Sequence, residues 1–122
     1  MPKLFIVDDE TTFHEVVKPF FEMKGLTVST AISGEEALPQ IEKEKPEVIL
    51  LDMHLKGELD GIGILRQIRE KSPGSCVIML TALENNLKSE ALSLGAYKFL
   101  TKPITIKTLN EVISEVLANK AK

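Results

Sequence analysis

The sequence predicts an α/β fold, a parallel sheet covered by helices on both faces, on three observations. Along 122 residues the apolar period switches repeatedly between strand-like and helix-like, and such alternation reads as βα units. Three of the strand candidates are almost wholly apolar, as expected when helices cover both faces of a sheet. Turn and cap residues gather where the period switches, at Gly25, Ser33-Gly34, Ser72-Pro73-Gly74 and Gly95.

The first strand, Lys3–Val7, runs into Asp8-Asp9 and a helix over Glu10–Lys24, which Gly25 stops. The second strand, Thr27–Ala31, alternates with polar residues and suits a sheet edge. Ser33-Gly34-Glu35-Glu36 is a capping box that opens a helix over Gly34–Lys43. Val48–Asp52 is the most hydrophobic strand, and its helix spans Gly61–Lys71. Cys76–Thr81 and Tyr97–Thr101 are the last two strands, with helices over Leu87–Ser93 and Ile106–Asn119. Pro19 and Pro39 fall inside predicted helices. A proline there costs about 3 kcal/mol, so kinks are expected at both.

A chain of this length fits one domain with a real core. Its 43% apolar and 27% charged content is that of an ordinary globule, and a net charge of −3 argues against direct nucleic-acid binding. No apolar run is long enough to span a bilayer, and the acidic start is unlike a signal peptide. A cytoplasmic location is expected. Cys76 is alone and reads as a buried small hydrophobe in a reducing compartment.

Parallel strands bring their carboxyl ends to one edge, where open α/β sheets place ligands. Asp8, Asp9, Asp52, Thr81 and Lys102 are thereby expected in one crevice. Either Asp8 or Asp9 alone could be a helix cap. Together with Asp52 they repel one another unless a cation neutralises them. Oxygen-only ligands with room for water favour Mg²⁺. Asp52 ends the most apolar strand, where a carboxylate is costly without a partner or a task, and its oxygens suit nucleophilic attack on phosphorus. Lys102 precedes Pro103, and a cis bond there would re-aim it to pair with Asp52 and then with phosphoryl oxygens. Thr81, beside the small Ala82, offers a hydroxyl to one phosphoryl oxygen. His14 is read as a solvent-facing or docking residue.

This set resembles the receiver domain of two-component response regulators. The likeness covers essentially the whole chain. It rests on Phe5-Ile6-Val7-Asp8-Asp9-Glu10, Leu50-Leu51-Asp52, Asp60-Gly61, Thr81-Ala82, Gly95-Ala96 and Lys102-Pro103, in that order. The resemblance implies a flavodoxin-like, doubly wound sheet of five parallel strands in order 2-1-3-4-5, flanked by five helices. It implies Asp52 as phosphoacceptor and Asp9, Asp52 and the backbone carbonyl of His54 as direct Mg²⁺ ligands. Asp8 would act through a metal-bound water. Thr81 and Lys102 would hold phosphoryl oxygens, and Phe99 occupies the position of the switch aromatic.

The chain departs from the family pattern after Asp52. Leu55-Lys56 stands in place of Met-Pro, and Gly61 lies nine residues beyond the acceptor, so the Lys56–Gly61 loop is one residue longer than usual. His54 and Leu83 are expected to flank the water that would hydrolyse an acyl phosphate, which implies slow autodephosphorylation.

The function expected is a phosphorylation-activated signalling switch that acts on no outside substrate. Its donor would be a sensor histidine kinase or a phosphotransfer protein. Its output would be a downstream target protein or an output domain absent from this chain. The whole of 1–122 reads as one receiver domain, either free-standing or cut from a longer regulator. Its fifth helix lacks the basic cluster used for dimerisation by receivers of winged-helix regulators. The alternative is a Mg²⁺-dependent phosphohydrolase with an aspartyl nucleophile. That class needs a second acid two residues after the nucleophile, where this chain has His54. A nucleotide-binding domain is weaker still, because no Gly-rich phosphate loop follows the first strand.

Overall fold

The computed structural model describes residues 2–53, 61–81 and 87–120. Among these residues the chain forms β1 (Lys3–Val7), α1 (Thr11–Met23), β2 (Thr27–Ala31), α2 (Gly34–Glu44), β3 (Val48–Asp52), α3 (Gly61–Lys71), β4 (Cys76–Thr81), α4 (Leu87–Ser93), β5 (Lys98–Thr101) and α5 (Ile106–Lys120). The strands pair in parallel in the order β2-β1-β3-β4-β5. The fold class and strand order are those expected from the sequence. Boundaries moved only slightly: Glu10 is the N-cap of α1, and Tyr97 precedes β5.

Side-chain alternation explains the two layers. Phe5, Val7, Ile49, Leu51, Val77 and Met79 point to one face of the sheet, where Ala37, Leu38 and Ile41 of α2, Ile64, Leu65 and Ile68 of α3 and Ala91 of α4 cover them. Leu4, Ile6, Val48, Leu50, Ile78 and Leu80 point to the other, under Val17 and Phe21 of α1 and Leu109, Val112, Ile113 and Val116 of α5. Every residue of β3 is buried, as its unbroken apolar run requires. β2 lies at one edge, where its polar alternation places it.

The helix signals act as read at α2. Ser33 accepts a hydrogen bond from the Glu36 amide at 3.2 Å, and Gly25 ends α1 in the left-handed region at φ 94°. Helices α1 and α2 continue through Pro19 and Pro39, where packing of their apolar faces outweighs the lost backbone bond. One expectation fails. Cys76 is only half-buried, because it opens β4 at the sheet's end and not in its middle.

Candidate functional site

Register converts distance in sequence into proximity in space. Val7 lies opposite Leu51, Asp52 opposite Leu80, and Thr81 opposite Thr101. The residues just past β1, at the end of β3 and β4, and just past β5 therefore share one edge. The Asp8 amide still bonds to the Ala31 carbonyl at 3.1 Å, and the Met53 amide to the Leu80 carbonyl at 2.7 Å. The Lys102 amide bonds to the Thr81 carbonyl at 2.5 Å, which carries β5's successor onto the end of β4. The Lys102–Pro103 peptide bond is cis, the isomer the sequence allows there.

Asp8, Asp9 and Asp52 each offer a carboxylate oxygen within 4.8 Å of the others. Asp8 and Asp52 are buried and Asp9 is half-buried. Asp8 caps no helix by side chain. It turns back instead, accepting the Glu10 amide at 2.9 Å through Oδ1. Its Oδ2 accepts the Lys102 ammonium at 2.8 Å. Asp52 Oδ2, the expected partner, also ion-pairs with that ammonium at 3.8 Å and Glu10 Oε1 at 3.9 Å, so Asp8 is an additional and nearer partner. Asp8 wins because it is the more deeply buried carboxylate and has most to gain from an ionic hydrogen bond.

Burial pulls the Lys102 ammonium's pKa down, but the hydrogen bond and charge of Asp8, then the charges of Asp52 and Glu10, outweigh it. Lysine therefore stays ionised to higher pH than usual. Among the described residues, Lys102 is the cation that ion-pairs with this cluster, and three carboxylates outnumber it. An oxygen-only donor set with surplus negative charge fits a hard divalent cation.

Thr81 is fully buried at the end of β4, and Phe99 is half-buried opposite Met79, against the layer under α2, α3 and α4. His54, Leu83 and the loop from Lys56 to Asp60 lie outside the described residues. Gly61, which closes that loop, has its amide bonded to the Met53 carbonyl at 3.2 Å.

His14 is the clearest misreading. It is buried at 8% exposure, and its Nε2 has no hydrogen-bond partner among the described residues. The spacing His14, Val17, Phe21 places it on the inward face of α1, a signal that its polarity obscured. Two further neighbours of Lys102 were also missed. They are the carboxylate of Glu10 and the ring of Phe13, whose centroid lies 5.3 Å from Nζ. Both occupy the segment just after the Asp-Asp pair, where a lysine crossing the sheet edge must meet them.

The model of the response regulator receiver domain matches residues 4–114. The chain is 37% identical over 116 residues to the alkaline phosphatase synthesis transcriptional regulatory protein PhoP of Bacillus subtilis, covering 94% of this chain and 48% of that protein. It is 39% identical to a probable transcriptional regulator, ycf27, of Guillardia theta, covering 98% of this chain and 47% of the relative. It thus spans about half the length of the curated relatives it matches. A CheY-like response regulator receiver domain protein from Methanospirillum hungatei superposes with a TM-score of 0.93 at 30% identity, covering 99% of this chain and 97% of that one. No helix among the described residues is long and apolar enough to cross a membrane.

Proposed function

Because the chain belongs to the response regulator receiver family, we propose that it is a switch set by phosphorylation of Asp52, with a phosphohistidine of a sensor histidine kinase or phosphotransfer protein as donor. The observation that carries this reading is the meeting of a buried carboxylate, a lysine and two more acids at one sheet edge. An Asp52 oxygen attacks phosphorus, the P–N bond breaks, and its electron pair leaves with the imidazole. Asp9 and Asp52, with Asp8 acting through a water, would hold Mg²⁺, which would supply charge neutralisation between the carboxylates and the phosphoryl oxygens. By the family resemblance the carbonyl of His54, which lies outside the described residues, would be the third protein ligand.

Lys102 moves from Asp8 to a phosphoryl oxygen, which gives the ammonium an acceptor of higher charge. Thr81 donates its hydroxyl to another. That movement of Thr81 biases α4 and Phe99 between two arrangements, so a local charge change alters a partner surface. The whole chain acts as one receiver domain in the cytoplasm and performs no chemistry on an outside substrate. Its response passes to a target protein or an output domain, without contacts of its own to nucleic acid or membrane.

The test is intact-mass measurement after incubation with phosphoramidate and Mg²⁺. One phosphoryl group per chain is expected, and none in Asp52→Asn. Equal labelling of the variant overturns the assignment. Sustained consumption of donor without a labelled chain would favour a phosphohydrolase.

A further inference from the structure

The ring of Phe13 has no role in the mechanism above, yet it faces that mechanism's only lysine. Lys102 Nζ stands 5.3 Å from the ring centroid, within the roughly 6 Å over which a ring face attracts an ammonium. Two carboxylates hold the ammonium inward, Asp8 at 2.8 Å and Asp52 at 3.8 Å. Glu10 competes from 3.9 Å, and its side chain is 65% exposed. Glu10, Phe13, Lys102, Pro103 and Ile104 border a crevice of about 460 Å³. Without the ring, the lysine could swing into that crevice toward Glu10 and water. Yet the Lys102 side chain is only 15% exposed.

The ring is itself held. Phe13 sits in the first turn of α1, its amide bonded to the Glu10 carbonyl at 3.1 Å. It packs, with Ile104 and Ile106, against the layer beneath α1 and α5. It is thus a fixed wall on the open side of a long, flexible side chain.

We propose that Phe13 is a positioning residue: its ring face keeps the Lys102 ammonium at the Asp8–Asp52 crevice, ready for a phosphoryl oxygen. This rests on Asp52 phosphorylation as proposed above. The alternative is that Phe13 only fills space, in which case any apolar side chain of similar size would serve. Phe13→Leu keeps bulk and apolarity but removes the ring face, and Phe13→Tyr keeps the face.

Two measurements on the full 122-residue chain decide the matter. In the metal-free protein, ring currents should hold the Lys102 ε-methylene protons upfield of other lysines, and Phe13→Leu should abolish the shift while Phe13→Tyr retains it. In Mg²⁺ with subsaturating phosphoramidate, Phe13→Leu should label Asp52 roughly threefold to fivefold more slowly, and Phe13→Tyr at the wild-type rate. The proposal is overturned by an unshifted Lys102 in the wild type, by Phe13→Leu labelling at full rate, or by equal losses in Leu and Tyr variants. If the wild type takes no phosphoryl group, the functional reading has failed first and this proposal falls with it. Wild-type labelling with an unaffected Leu variant removes this proposal alone.

Discussion

At the scale of single residues the site is a matter of unequal burial. Asp8 and Asp52 are 1% and 5% exposed, and Asp9 is more open, and the Lys102 ammonium lies nearest the deepest acid. Asp9→Ala should therefore lose the stabilisation by Mg²⁺ while raising metal-free stability, since it removes a like charge. Thermal melts with and without Mg²⁺ check both, and an unchanged Mg²⁺ shift in the variant would contradict the ligand set. Tyr97, the chain's sole tyrosine, gives a clean pH prediction. Its hydroxyl donates to Glu115 at 2.5 Å and accepts from Asn119 at 3.4 Å. The hydrogen bond to Glu115, then burial and that carboxylate's charge, raise the phenol above its usual pKa. The folded value exceeds the unfolded one of about 10. The stability this adds is therefore whole below about pH 10 and is lost as pH rises through the folded pKa. Ultraviolet titration should show the phenol ionising late, and Glu115→Gln should bring it earlier. The identities of Asp8, Asp9, Asp52, Thr81 and Lys102 as one cluster were legible because each ends or follows an apolar strand. Lys102's preference for Asp8 was not, because it depends on relative depth, which sequence does not carry.

At the scale of elements, period and punctuation sufficed. β3 read as covered on both faces because it has no polar alternation, and β2 as an edge because it has. Local signals leave out the places where tertiary packing overrides local cost. Pro19 and Pro39 sit in unbroken helices, and Lys45 ends α2 in the left-handed region at φ 48°, a position usually given to glycine. Its side chain bonds to the Lys71 carbonyl at 3.0 Å, a long-range gain with no local signal. Gly61 shows the opposite case, a residue that packing leaves no choice. A Cβ there would lie 2.7 Å from the Met53 Cα and 2.8 Å from its carbonyl oxygen, both backbone atoms that cannot swing aside. Gly61→Ala should cost about 1–3 kcal/mol, as overpacking does. Because Met53 follows Asp52, the same variant should weaken Mg²⁺ binding. Denaturant unfolding and metal titration measure the two, and a variant as stable as wild type would contradict the close approach.

At the scale of the molecule, the two faces of the sheet are closed by different helices, and the acid cluster of the proposed site lies at the carboxyl edge of the strands. A site built of repelling acids keeps the metal-free fold below its attainable stability, and a divalent cation should recover the difference. Mg²⁺ at ten times its Kd should add about 1.4 kcal/mol, which is about 4–8 °C in Tm for a domain near this size, and chelation should reverse it. The central claim is that the phosphoryl group resides on Asp52. Reduction with borohydride after incubation with phosphoramidate and Mg²⁺ converts an aspartyl phosphate to homoserine, which peptide mass spectrometry locates. The account predicts homoserine at position 52 alone, absent when Mg²⁺ is chelated. Homoserine at Asp8 or Asp9, or a phosphate that survives on Thr81, would contradict it.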